Sequence, residues 1–193
     1  MKKIKKQITN NLIMVRPEHF DFNYETAENN HFQKKEKKLS KEKILRNAKN
    51  EFDNLYNNLI KNKINVNVFN DRKKVRTTDS VFPNNWISLH QDGSVYVYPM
   101  FSENRRKERR FDIIEKLKKQ FEIKRVIDLS YFEKESVFLE GTGSMILDRQ
   151  NKICYAALSD RTNLIALNDF CNRALYNPVT FKSYQKVEGK INL

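Results

Sequence analysis

Covalent or proton-transfer chemistry in this chain falls to 2 cysteines, 3 histidines and a few acids and arginines in distinctive strings. A nucleophile needs a thiol or hydroxyl beside a base. Cys154 lies mid-strand in KICYA, and Cys171 follows Phe170 on the apolar face of a helix, so both read as small core residues. His19 and His31 fall in an early loop, and His90 ends a strand at a hairpin. No His-x-His or Cys-x-x-Cys spacing occurs, and no metal site is expected. Arg105 and Arg106, in ENRRKERR (103–110), carry the planar fork that grips a carboxylate, or form the basic first turns of a surface helix. Arg161 stands in the same position after a strand end. Glu140 alone would read as an exposed acid at a strand end. It precedes Gly141 and Gly143, two of only 4 glycines, which permit close backbone approach beside the carboxylate. Pro83-Asn84-Asn85 is good turn chemistry.

The elements that must position these residues follow from periodicity. Residues 8–16 hold a short apolar run, Leu12 to Val15, and read as a strand. Residues 17–40 are polar and aperiodic, a loop of a length usual for lids and mobile segments. Ser40 caps a helix whose apolar residues Ile44, Leu45, Ala48, Phe52, Leu55, Tyr56, Leu59 and Ile60 recur at helical spacing to about Asn62. INVNVF (64–69) alternates as a strand. WISLH (86–90) and SVYVYPM (94–100) form a hairpin closed by Asp92-Gly93. A helix is expected over 103–121, with Phe111, Ile114, Leu117 and Phe121 on one face, then a strand over 124–129. A second hairpin (144–148, 152–157) leads to a helix over 162–173, with Leu164, Leu167, Phe170 and Cys171 inward, and a strand over 178–183. The hairpins start about 58 residues apart, which points to an α/β fold built from a repeated ββαβ unit.

At 193 residues the chain is long enough for one ordinary domain. Its 39% hydrophobic and 11% aromatic content supports a packed core. No apolar run reaches transmembrane length, and the N-terminal apolar stretch is too short for a signal peptide. Two cysteines suit a reducing compartment, so a cytoplasmic location is expected. The formal charge is +13. Its densest stretches, 34–49 and 105–125, read as solvated helix or linker, and abundant Lys and Asn match the codon bias of an AT-rich genome. Nucleic-acid binding is therefore not the expected role.

Long strings carry a resemblance. DSVFPNNWISLHQDGSVYVYPM (79–100), ENRRKERR, DLSYFEKESVFLEGTGSMILDR (128–149), YAALSDRT (155–162) and FCNRALY (170–176) occur in order. Together they resemble the amidinotransferase-like branch of the guanidino-group-modifying (pentein) superfamily, most closely the citrulline hydrolases, relatives of arginine deiminase. The resemblance implies a five-bladed α/β propeller of ββαβ units, of which about three are present. It implies C–N hydrolysis by a Cys thiolate, a His acid–base and a carboxylate, with no cofactor. Within it, Glu140 matches the catalytic carboxylate. Asn84 and Asn85 stand where arginine deiminases carry a substrate-gripping acid. An amide both donates and accepts, so it suits a neutral ureido group better than a guanidinium. Asp79, just upstream of the turn, is a candidate to bind the amino-acid head group or to cap the loop, and Arg105 and Arg106 are candidates for the substrate carboxylate.

In the family the catalytic His follows the third unit, in a string like YHTN, and the Cys lies near the C-terminus. The expectation is an incomplete pentein domain over 1–193, with the long loop 17–40 inside it and neither catalytic group at hand. Three readings stay open: an inactive fragment, a half-enzyme completed by another chain, and a basic binding module with nucleic acid as its candidate ligand. An open arc of repeat units is also expected to expose an apolar face and self-associate.

Overall fold

In a computed structural model the described residues are 7–27, 33, 39–187 and 190–192. Residues 28–32 and 34–38 of the predicted early loop, including His31, lie outside them. The chain divides into two compact units. One comprises Thr9–Pro83 and Ser102–Glu108. The other comprises Asn84–Phe101 and Arg109–Leu193, with the N-terminal residues through Ile8.

The first unit is a βαβ element. Strands β1 (Asn11–Arg16) and β2 (Asn65–Asn70) pair in parallel from Asn11↔Asn65 to Arg16↔Asn70. Helix α1 (Lys41–Lys61) joins them, opened by Ser40, whose Oγ accepts from the Lys43 N–H at 3.3 Å. Two ion pairs tie α1 to the chain around the end of β1: Arg16 to Asp53 by two bonds (2.9 and 2.7 Å), and Lys49 to Glu18 at 2.8 Å. Although α1 is amphipathic, none of its residues is fully buried.

The second unit holds two ββαβ elements of the same topology. β3 (Ile87–Leu89) and β4 (Ser94–Val97) form the antiparallel hairpin, and β5 (Arg125–Asp128) adds in parallel to β4. Further along, β6 (Met145–Asp148) and β7 (Ile153–Ala157) form the second hairpin, and β8 (Asn177–Phe181) adds in parallel to β7. In each of these two sheets the middle strand is paired on both sides, and the element order is the ββαβ order expected from the sequence. A last antiparallel pair, Gln185–Val187 with Lys190–Asn192, was not anticipated from the sequence.

The long helix expected over 103–121 is broken. It becomes α2 (Glu103–Arg106) and α3 (Phe111–Lys118). The intervening charges serve different partners: Glu108 pairs with Arg105, Arg109 with Glu133, and Arg110 with Asp112. The break resets the helical phase, so Ile113, Ile114 and Leu117 are buried while Phe111 is 49% exposed. Three short elements also escaped the periodicity, 3-10 turns at Pro83–Asn85 and Ser130–Glu135 and helix α4 (Gly141–Ser144). None is long enough to show a repeat. Helix α5 (Leu164–Ala174) matches its prediction except at Leu164, which faces outward; Asn163 caps it by accepting from the Ile165 N–H at 2.8 Å.

The core of the second unit gathers Tyr96 and Tyr98 with Met145, Leu147, Cys154 and Ala156, and with Ala166, Leu167, Phe170 and Cys171 of α5. Phe170 meets Tyr96 edge-on at 4.9 Å between ring centres. Into this aromatic cluster His90 is inserted, 5.1 Å from the Tyr96 ring. Arg149 Nη1 lies 3.3 Å from His90 Nδ1, and an arginine can only donate. The imidazole therefore carries its proton on Nε2, which donates to Ser88 Oγ at 2.8 Å; Ser88 in turn shares a 2.6 Å bond with the Tyr98 hydroxyl. Burial, with the Arg149 charge beside it, pushes the His90 pKa down to about 3.

A folded-state pKa below the unfolded value makes His90 stabilising as a neutral group above about pH 6.5. That stability is lost as pH falls, because the unfolded chain takes up the proton first. Between pH 6.5 and 5 the loss should reach about 2 kcal/mol. His90→Phe should flatten this limb of a denaturant-midpoint profile, and an unchanged slope would show that His90 does not carry it.

Candidate functional site

Glu140 lies at the N-cap position of α4 and is 1% exposed, so it is not the exposed strand-end acid that an isolated glutamate would be. Its carboxylate is bracketed. Oε1 accepts from the Phe101 N–H at 3.1 Å, and Oε2 accepts from Asn85 Nδ2 at 3.0 Å. Arg161 Nη1 stands 3.5 Å from Oε2. The backbone repeats the link: the Glu140 N–H lies 3.3 Å from the Arg161 carbonyl, and Ser144 Oγ donates to that carbonyl at 2.9 Å. A buried carboxylate is tolerated when it is paired and hydrogen-bonded, and both conditions are met here.

The two glycines explain how the Asn84–Asn85 turn reaches this carboxylate. Gly141 has φ +47, and a Cβ there would lie 2.4 Å from the Asn84 carbonyl oxygen and 3.0 Å from that of Asn85. At Gly143 a Cβ would lie 2.5 Å from Asn85 Nδ2. Close approach beside Glu140, expected from the LEGTG string, is thus approach by the PNN turn itself. Thr142 Oγ1 adds a 3.4 Å bond to the Asn84 carbonyl. The Asn84 side chain is exposed and that of Asn85 half-buried. Because Asn85 Nδ2 donates to Glu140, its Oδ1 is the acceptor end of the amide. The structure therefore brings together three predicted positions, Asn84, Asn85 and Glu140, and adds Arg161. The only sequence signal for Arg161 was its place in the SDRT string.

Asp79, Arg105 and Arg106 belong to the other compact unit. Asp79 Oδ2 accepts from Asn23 Nδ2 at 2.6 Å and lies 3.7 Å from Arg105 Nε. Arg105 is buried and gives Nε and Nη2 to Glu108 at 3.0 to 3.2 Å. Arg106 is more accessible, with Glu103 at 4.0 Å. Loop 77–80, which carries Asp79, is held by Asp71, whose Oδ2 accepts from Thr77 Oγ1 at 2.6 Å and Ser80 Oγ at 2.7 Å.

Cys154 and Cys171 are free, buried thiols of the core. Their mutual hydrogen bond and burial push the Cys154 thiol up, away from the thiolate a nucleophile needs. Among the described residues no group of His, Cys, Asp or Glu gathers to hold a metal ion. No helix among them is long and apolar enough to cross a membrane.

Comparison with known proteins agrees with this architecture. A search of curated proteins finds no match. Among solved structures, the N-terminal domain of ArgZ bound to substrate, an arginine dihydrolase of cyanobacteria, is similar at 19% identity and TM-score 0.61, over 92% of this chain and 58% of that one. A dimethylarginine dimethylaminohydrolase adduct with S-methyl-L-thiocitrulline is similar at 16% identity and TM-score 0.62, over 91% of this chain and 61% of that one. A mutant of AgrE in complex with L-arginine is similar at 19% identity and TM-score 0.66, over 92% of this chain and 24% of that one. The chain thus spans less than two thirds of the length of each. The fold is that of the pentein, amidinotransferase-like superfamily. Residues 16–193 match the family described as N,N dimethylarginine dimethylhydrolase, eukaryotic, and the chain belongs to that family.

Proposed function

We propose that Asn84, Asn85, Glu140 and Arg161 form part of the substrate site of a hydrolase that cleaves the guanidino or ureido group of an arginine derivative. The observation that carries the reading is the buried Glu140 carboxylate, held between the Asn85 amide and the Arg161 guanidinium while two glycines press the Asn84–Asn85 turn against it. In the reaction a thiolate adds to the planar carbon, the C–N bond breaks with ammonia or an amine leaving, and water then releases the enzyme. Glu140 serves here by fixing the Asn85 amide, whose Oδ1 accepts an N–H of the substrate. By chemical type alone, Asp79 suits an ammonium and Arg105 and Arg106 suit a carboxylate.

The finer substrate is citrulline. The carboxylate nearest the turn already has Arg161 beside it, and amides replace acids at Asn84 and Asn85, so a neutral ureido group is matched better than a cation. Arginine is the second reading, favoured by the AgrE complex with L-arginine on this fold. Two buried free thiols are in keeping with a cytoplasmic protein. Neither buried core thiol serves as the nucleophile in this reading, and residues 1–193 on their own are inactive toward citrulline.

The test is an NMR titration of the 193-residue chain with L-citrulline and L-arginine. Citrulline should shift the Asn85 side-chain amide more than arginine, and Glu140→Gln should remove the difference. A silent Asn85 amide with both ligands would refute the site. Ammonia released from citrulline by the purified chain would refute its inactivity alone.

A further inference from the structure

The paired residues of β4 end at Val97, and Pro99, which has no N–H to give a sheet, follows two residues later. The next two N–H groups are taken by carboxylates from one stretch of chain. Glu133 Oε1 accepts from the Met100 N–H at 2.7 Å, and Glu140 Oε1 from that of Phe101 at 3.1 Å. The Leu139 N–H also donates to the Pro99 carbonyl, at 3.1 Å. Each residue from Pro99 to Phe101 is thus held from the segment 133–140. Phe138 adds an edge-on contact with Phe101, 5.3 Å between ring centres.

Glu133 stands in the 3-10 turn Ser130–Glu135. The chain leaves that turn through Ser136 at φ 54, a left-handed conformation that a residue other than glycine holds only where its surroundings fix it. The residues that follow, Val137 to Glu140, are all buried. Arg109 in turn fixes the Glu133 carboxylate. Its Nη2 donates to Oε2 at 2.9 Å and its Nη1 to Oε1, a two-point grip that sets the plane of the carboxylate. The same Nη1 lies 3.5 Å from the Tyr98 carbonyl oxygen. The pair therefore spans Pro99, with Arg109 reaching residue 98 and Glu133 residue 100. Their side chains are only 15% and 12% exposed. An enclosed ion pair gains little stability over apolar side chains of similar volume. Apolar side chains could not, however, accept the N–H of Met100, a fully buried residue.

We propose that Arg109 and Glu133 are positioning residues for the Glu140 carboxylate. By fixing Met100 they fix the next N–H, that of Phe101, and with it the orientation of Glu140, whose other oxygen holds Asn85. Through Asn85 the pair sets the amide that meets the substrate, so the inference rests on the functional reading given above.

The test combines Arg109→Met with Glu133→Met in the 193-residue chain. The double variant leaves neither charge unpaired, so it should stay folded, with Tm within about 4 °C of the unsubstituted chain. It should nonetheless weaken L-citrulline binding, read at the Asn85 side-chain amide by NMR titration, at least about tenfold. Hydrogen exchange at the Phe101 N–H, relative to the amides of α5, should speed by a similar factor. Glu133→Gln and Glu133→Ala keep the comparison if the double variant does not fold. The amide retains an acceptor for Met100 and should stay within about threefold of the unsubstituted chain, whereas alanine should show the full loss. Citrulline affinity and Phe101 exchange both unchanged in the double variant, or equal losses in Glu133→Gln and Glu133→Ala, would overturn the proposal. An Asn85 amide that answers no ligand in the unsubstituted chain would instead refute the functional reading, and Phe101 exchange in the ligand-free variants would still decide the positioning.

Discussion

Gly141→Ala should destabilise the second unit by about 3 kcal/mol or more, the sum of a left-handed backbone cost and a steric one. Gly141 has φ +47, a region a non-glycine residue enters only at a penalty, and the added Cβ would stand 2.4 Å from the Asn84 carbonyl oxygen. That neighbour is backbone and cannot rotate away. Tyr98 Cδ2, at 3.0 Å, closes the other direction, and the Tyr98 ring is fully buried. Relief therefore requires the Asn84–Asn85 turn or α4 to shift, either of which separates Asn85 from Glu140. In a chain of this size the loss should lower Tm by about 6–12 °C. Gly143→Ala is the control. Its clash is with the end of the Asn85 side chain, which can swing aside, so it should cost about 1 kcal/mol while breaking the Asn85–Glu140 bond. A Gly143 effect as large as that of Gly141 would contradict the backbone argument.

Removing the Glu140 carboxylate should be about as severe. Glu140→Ala is expected to cost about 3–5 kcal/mol, the range for breaking one side of a buried pair. The Asn85 amide and the Phe101 N–H would lose their acceptor, and Arg161 its carboxylate. Glu140→Gln keeps one acceptor and should cost about 1–2 kcal/mol. The discriminating measurement is a double-mutant cycle in which Arg161→Met is combined with Glu140→Met. If the carboxylate is held mainly by Arg161, the double variant should recover part of the single loss, with a coupling of about 1–3 kcal/mol. Strict additivity would assign the cost to the backbone and amide bonds instead. Neither outcome requires catalytic activity, so the site can be tested on the chain as it stands.

Much of this could be read in advance, and the reasons are local. Ser40 and the apolar spacing of residues 44–60 suffice for α1, because capping and one-sided burial act within one helix. Asp92-Gly93 suffices for the first hairpin, since the positive φ of Gly93 is a property of the turn itself. The ββαβ repeat emerges from such local signals in order. The failures are where partners are distant. Residues 107–110 look helical, yet Arg109 serves Glu133, 24 positions on, and a new helix starts after Arg110. Glu140 looks like an accessible acid until Asn85, 55 positions back, and Arg161, 21 ahead, close around it.

By itself, then, the amino-acid order determined most of the longer elements, their repeat and the superfamily, because spacing, turn residues and long strings act over short separations. Tertiary structure alone decided which charges are buried and with whom, and that the LEGTG glycines admit the PNN turn. Those outcomes depend on contacts between segments tens of residues apart, whose close approach no periodicity encodes.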